Sequence, residues 1–305
     1  MKRRNDFLMS NTAAQRTQIH TGDGFIAALD QSGGSTPKAL SLYGVEPADY
    51  SGDVEMFQAM HDMRARIILA DDFTSAKVLG AILFERTMNE TINGTPVAEL
   101  MWSKRGVVPF LKIDKGLEDE AQGVQLLKPI PGLEALLDEA KSKGIFGTKE
   151  RSVIHAANEA GIAAIVAQQF DLAKAVAKAG LVPIIEPEVT ITSDTKADAE
   201  GILVSEIIKH LNGLDDVVEV MVKLTIPENA GIYDVLADHP RVMRVVALSG
   251  GYSTQDACHK LTQNPKMIAS FSRALTEGLN VKMTDVEFNT ALGQNIDKIY
   301  SASVA

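Results

Sequence analysis

The chain has 305 residues, 45% of them hydrophobic, which suffices for one large α/β barrel or for two ordinary domains with buried cores. Its 30 basic and 40 acidic residues leave a net charge of −10, arguing against nucleic acid or an anionic membrane as partner, so cations for an anionic ligand must be gathered locally. The single cysteine, Cys258, excludes an internal disulfide framework and a zinc site built on several thiolates, and makes the reducing cytoplasm the expected setting.

In chain order, Met1–His20 is polar and lacks the apolar centre of a signal peptide or anchor, so it reads as a leader segment or a short helix, with the catalytic domain expected over residues 21–305. Short apolar runs then alternate with stretches of helical spacing. Strands are predicted at Phe25–Asp30, Val78–Glu85, Val107–Asp114, Ile145–Val153, Val182–Val189, Val217–Ile226, Val242–Ser249 and Met267–Arg273. Several, such as VVPFLKI and LVPIIEP, lack polar alternation, as strands covered on both faces do. Helices that could cover them are predicted at Val54–Leu69, Leu133–Lys143, Ile162–Ala179, Lys196–Leu211, Pro227–Asp238, Thr254–Thr262 and Asp285–Ser301. Eight strands with intervening helices predict a single-domain (β/α)8 TIM barrel, with a doubly wound open sheet as the alternative.

Reacting groups in such a barrel project from the carboxyl ends of the strands, and charges interrupt these strands near their ends. Asp30 closes IAALD, Lys112 and Asp114 lie in FLKID, Lys149 and Arg151 in GTKERSV, Glu186 and Glu188 in PIIEPEV, and Lys223 stands in EVMVKL. Residues two apart on a strand share a face. Taken singly, each has a blander reading, as an ion pair inside the barrel or an ordinary charge at a strand end. Taken together, so many buried charges cost several kcal/mol per uncompensated ion, which function explains better than stability does.

A lysine amine attacks a ketone when unprotonated, and the iminium it forms is an electron sink that lets a neighbouring carbon–carbon bond break. Lys223, on an apolar strand, fits that role, with Lys149 as a second cation and Glu186, Glu188 and Asp30 as proton carriers. Two glycine turns could hold anions. Ser249-Gly250-Gly251 follows a strand and precedes a helix, and Ser32-Gly33-Gly34-Ser35 follows the first strand. A glycine pair after a strand is usually only a tight turn, but Arg273 arrives on the last strand, near where such barrels bind phosphate. Two anion sites on one rim suggest a bisphosphate.

Through AALDQSGGSTPKAL, GAILFE, FLKIDKG, GTKERSVI, VPIIEPE, EVMVKL, ALSGGYS and SFSRAL, in that order from about Gly24 to Ala274, the chain resembles the class I fructose-1,6-bisphosphate aldolases in their shorter bacterial form. The resemblance implies that Lys223 is the Schiff-base lysine, Glu186 the main proton shuttle, Asp30 the acid at the C4 hydroxyl and Lys149 the stabiliser of developing charge, with Arg151 and Glu188 in support. It also implies Ser249, Gly250 and Arg273 at the C1 phosphate and Ser32, Ser35 and Lys112 near the C6 phosphate. The implied reaction is reversible cleavage of fructose 1,6-bisphosphate to dihydroxyacetone phosphate and glyceraldehyde 3-phosphate, with no metal or organic cofactor. Two departures stand out: the tail tyrosine of animal members is missing, Tyr300 lying inside a predicted helix, and Ser272 stands where they have glycine.

Three other readings stay open at this stage. The substrate could be tagatose 1,6-bisphosphate, or C4 reading could be relaxed. A metal-dependent aldolase would need clustered ligands, whereas the histidines at 20, 61, 155, 210, 239 and 259 are scattered. A catalytically dead binding protein could keep the fold, though Lys223, Glu186, Asp30 and Lys149 are all present. Composition is silent on oligomeric state.

Overall fold

The computed structural model describes residues 2–215 and 217–305. Eight parallel strands follow one another around the molecule: β1 Phe25–Leu29, β2 Val78–Leu83, β3 Val108–Lys112, β4 Gly147–Ile154, β5 Val182–Val189, β6 Val220–Thr225, β7 Val242–Leu248 and β8 Met267–Ala269. Each pairs with the next, and β8 comes round beside β1 without a hydrogen-bonded ladder between them. The sheet is therefore a nearly closed barrel, and the open-sheet alternative falls away. A short strand, Val124–Gln125, adds antiparallel to β4, and the two-residue strands Thr91–Ile92 and Thr95–Pro96 form a separate hairpin.

The principal helices are α1 Lys2–Thr21, α2 Thr36–Leu42, α3 Gly52–Leu69, α4 Leu133–Ser142, α5 Glu159–Lys178, α6 Lys196–Leu211, α7 Thr254–Leu261 and α8 Asp285–Ser303. Their starts are chemically marked. Asn158 accepts from Gly161 N at the head of α5, Ser253 accepts from Asp256 N at α7, and Thr284 and Glu287 form a reciprocal capping box at α8. Apolar strands buried throughout, as in β1, β2 and β6, follow from this cover of helices. By length and composition α5 could cross a membrane, yet it packs on β4, β5 and α6.

Inside the barrel the lower layers are dry. Ile26, Ile82, Val108, Phe110, Ile184, Met221 and Val246 form one cluster there. Phe110 fills the centre because its neighbours have no side chain: a Cβ on Gly147 would stand 2.9 Å from the ring and 2.2 Å from Val182 O, and one on Gly80 would stand 3.0 Å from the ring. Ile19, at the end of α1, joins this cluster from below. Gln18 Nε2 donates to Leu79 O at 2.8 Å and Gly106 O at 2.7 Å, while the Arg244 guanidinium donates to Ile19 O and Gly22 O. The polar N-terminal stretch is thus a 20-residue helix whose last turn stoppers the amino end of the barrel, Met1 lying outside the described residues.

Two predicted elements are less than half as long as expected. The last strand ends at Ala269, and Arg273 opens a short helix, Arg273–Thr276, instead of closing a strand. Of the helix expected over Pro227–Asp238 only Asp234–Ala237 forms, because Gly231 takes a left-handed φ of +80° and gives its N–H to Asn264 Oδ1.

Candidate active site

Because alternate residues of a barrel strand face inward, Lys112, Lys149, Glu186 and Lys223 enter the lumen just above the dry layers, with Asp30 beyond the end of β1. They floor a cleft of about 960 Å3 at the carboxyl mouth, and all twelve residues singled out from the sequence line it: Lys223, Glu186, Asp30, Lys149, Ser32, Ser35, Lys112, Arg151, Glu188, Ser249, Gly250 and Arg273.

At the floor the charges interlock. Lys149 Nζ lies 2.7 Å from Asp30 Oδ2 and 2.9 Å from Glu186 Oε2, and Lys223 Nζ lies 3.0 Å from Glu186 Oε1. Lys223 and Glu186 are each 3% exposed, so this cluster works out of bulk water. Burial alone would raise the Asp30 carboxyl; the ammoniums of Lys149, Lys223 and Lys112 outweigh it and hold the group well below the usual carboxylate range. Glu186 is likewise drawn down, burial and Asp30 being overcome by Lys149 and Lys223. Burial acts against the charge on Lys149, but Asp30, Glu186 and Asp114 overcompensate and raise its pKa. In the resting cleft Lys149 is therefore held as a cation, and its two partners as carboxylates able to accept a proton.

The walls carry two more pairs, Lys112 with Asp114, and Arg151 Nη1 with Glu188 Oε2 at 2.9 Å. For Lys112 and Asp114 the ion-pair reading of the sequence holds, within the cleft wall. Glu186 stands between Lys149 and Lys223 as a shared counter-ion.

Both glycine turns open on the cleft. After β7, Gly250 at φ +59° and Gly251 at φ +129° turn the chain into α7, and Arg273 Nη2 is 3.7 Å from where a Gly251 Cβ would be, so arginine and turn form one rim. After β1, Gly33–Ser35 makes a 3-10 turn in which Ser35 Oγ accepts from Ser32 N at 3.1 Å. Lys38, Lys115 and Gln31 also line the cleft without having been singled out in the sequence, the lysines because a basic residue in a loop or helix reads as solvated, and Ser272, the departure noted beside Arg273, lines it too. Tyr300, in α8, packs against the core and does not line the cleft. Lys77, the residue just before β2, is paired with Asp297 on the same helix. Among the described residues no three His, Cys, Asp or Glu side chains stand together as metal ligands.

Fold and cleft together define a barrel enzyme with a buried lysine–carboxylate centre beneath a rim of two glycine turns and Arg273. Residues 10–217 match the family model for the glycolytic class I fructose-bisphosphate aldolases. The chain is 56% identical to the class 1 fructose-bisphosphate aldolase of Synechocystis over 95% of its own length and 97% of that protein, and 53% identical to that of Clostridium acetobutylicum over 95% and 98%. The fructose-bisphosphate aldolase of Plasmodium falciparum superposes with a TM-score of 0.78 over 97% of this chain and 95% of that one, at 19% identity, sharing the fold. The chain belongs to the class I fructose-bisphosphate aldolase family.

Proposed function

We propose that the cleft cleaves fructose 1,6-bisphosphate, reversibly, into dihydroxyacetone phosphate and glyceraldehyde 3-phosphate through a Schiff base on Lys223. The observation that carries this reading is the buried Lys223 side chain with a carboxylate 3.0 Å away, at the foot of a cleft that Lys38, Lys115 and Arg273 also line. Glu186, within reach of Nζ, takes a proton from Lys223, whose free amine then adds to the C2 ketone, and the same carboxyl returns a proton to the carbinolamine hydroxyl so that it leaves as water and the iminium forms. The C3–C4 bond then breaks, its electrons entering the enamine while Asp30 takes the proton of the C4 hydroxyl and the aldehyde leaves. Lys149, fixed as a cation, stabilises negative charge as it develops on oxygen. Ser249, Gly250 and Arg273 hold one phosphate, Ser32, Ser35 and Lys112 the other, with Arg151 and Glu188 bracing the wall between them. The acid that protonates the enamine comes from within the cleft, which Tyr300 does not line. No observation favours the C4 epimer as substrate. With one free cysteine, Cys258, a cytoplasmic setting is in keeping.

Borohydride added with dihydroxyacetone phosphate should trap a covalent adduct on Lys223, and Lys223→Met should abolish both adduct and turnover. An adduct mapped to a different lysine defeats the assignment.

A further inference from the structure

Arg64 is a buried charge that the reaction above does not use. It lies in α3, 2% exposed, and is among the largest fully buried side chains. Nη1 donates to Thr87 Oγ1 at 2.7 Å, and Nη2 donates to Gln31 O at 2.5 Å and Gln31 Oε1 at 3.3 Å, while Nε has no partner. Asp30, the carboxylate whose charge acts on it, is paired instead with Lys149. A buried cation held by neutral oxygens is costly to keep, so its retention asks for a reason.

Its acceptors supply one. Gln31 follows Asp30, and its Nε2 donates to Ser272 Oγ at 2.6 Å, Ser272 preceding Arg273. That bridge crosses the seam between β1 and β8, where no ladder joins the barrel. We propose that Arg64 is a positioning residue for the reaction: through Gln31 and Ser272 it staples this seam at the mouth, fixing the span between Asp30 and Arg273. The proposal rests on the reading of the cleft given above.

The test is a double-mutant cycle on Arg64→Met and Gln31→Leu, with kcat and KM for the bisphosphate expressed per Lys223 trapped by borohydride, alongside thermal unfolding. Each single variant is expected to lower kcat/KM per trapped site about tenfold or more, a displaced reacting group being that costly. The double variant should do no worse than Arg64→Met alone, because the two residues act in series. Additive losses, single variants within about twofold of wild type, or an effect of Arg64→Met confined to unfolding temperature and trappable fraction would overturn the staple. If Arg64→Met does not fold, Arg64→Lys replaces it with the same expectations, since lysine keeps the charge but lacks the fork that reaches both Gln31 and Thr87. Wild-type protein that fails to trap at Lys223 overturns the aldolase reading as well; failure of the staple alone leaves trapping intact.

Discussion

Lys223 and Lys149 contact opposite oxygens of one carboxylate, that of Glu186, at 3.0 and 2.9 Å. Each ammonium is tolerable at this depth because the other's partner is shared, and Lys149 has Asp30 in addition. The centre is a unit, and its members are expected to respond to change together.

Glu186→Gln leaves two buried ammoniums facing a neutral amide. Breaking a buried pair from one side costs about 3–5 kcal/mol, and loss of a proton carrier costs about 10²–10⁴-fold in rate. Denaturant unfolding and turnover should show both losses. A variant as stable as wild type would mean that the shared carboxylate does not hold the centre together.

The pH dependence of stability should carry two opposite signatures. Asp30 and Glu186, drawn below their ordinary values, contribute stability that is present above about pH 4 and lost as pH falls through their folded values. Glu150, on the outer face of β4, is the reverse: burial first, then Asp114 and Glu186, pushes it well above its ordinary 4.5, so stability falls as pH climbs from there through its folded value. Glu150→Gln removes that loss. Its thermal midpoint should exceed wild type by roughly 2–4 °C at pH 8, and the gain should vanish near pH 4.

Two glycines should behave in opposite ways on substitution by alanine. At Gly147 the new Cβ would meet Val182 O at 2.2 Å and the Phe110 ring at 2.9 Å, so Gly147→Ala is expected to cost about 3 kcal/mol or more. Gly201, in α6, has nothing within 4 Å of its Cβ position, and Gly201→Ala should stabilise by about 0.5–1 kcal/mol. Urea titrations of the two variants check the contrast.

Gly250→Ala should raise KM for the bisphosphate by about tenfold with a smaller change in kcat, since its target is binding. The Cβ would lie 2.7 Å from Ile191 Cγ2 and 3.1 Å from Thr225 Cγ2, and φ +59° strains alanine, so the turn has to shift from its place in the rim. Steady-state kinetics decide it; an unchanged KM removes Gly250 from the phosphate site.

The charged floor was legible because lysines and carboxylates stand out against apolar strands at spacing two, as Lys149 with Arg151 and Glu186 with Glu188 do. The barrel was legible for the same reason, continuous apolar runs being exceptional outside parallel sheets. Arg64 was not, because a basic residue in an otherwise amphipathic helix reads as solvated, and only the packing of α3 against the β1 turn buries it. Nor was the docking of α1, which rests on Ile19 and on hydrogen bonds from Gln18 to main-chain oxygens, neither of which leaves a periodic signal. The early end of β8 was hidden because ASFSRAL carries strand-like spacing, while Ser272 is claimed by Gln31 across the seam and Arg273 opens a short helix.

The stopper that Ile19 and Phe110 make at the amino end has a consequence for traffic. A vessel sealed at its base has one doorway, so the two halves of a cleaved sugar cannot depart by separate exits. With the proposed Schiff base, the half tethered to Lys223 waits for the other to clear the rim, and release becomes a queue imposed by architecture.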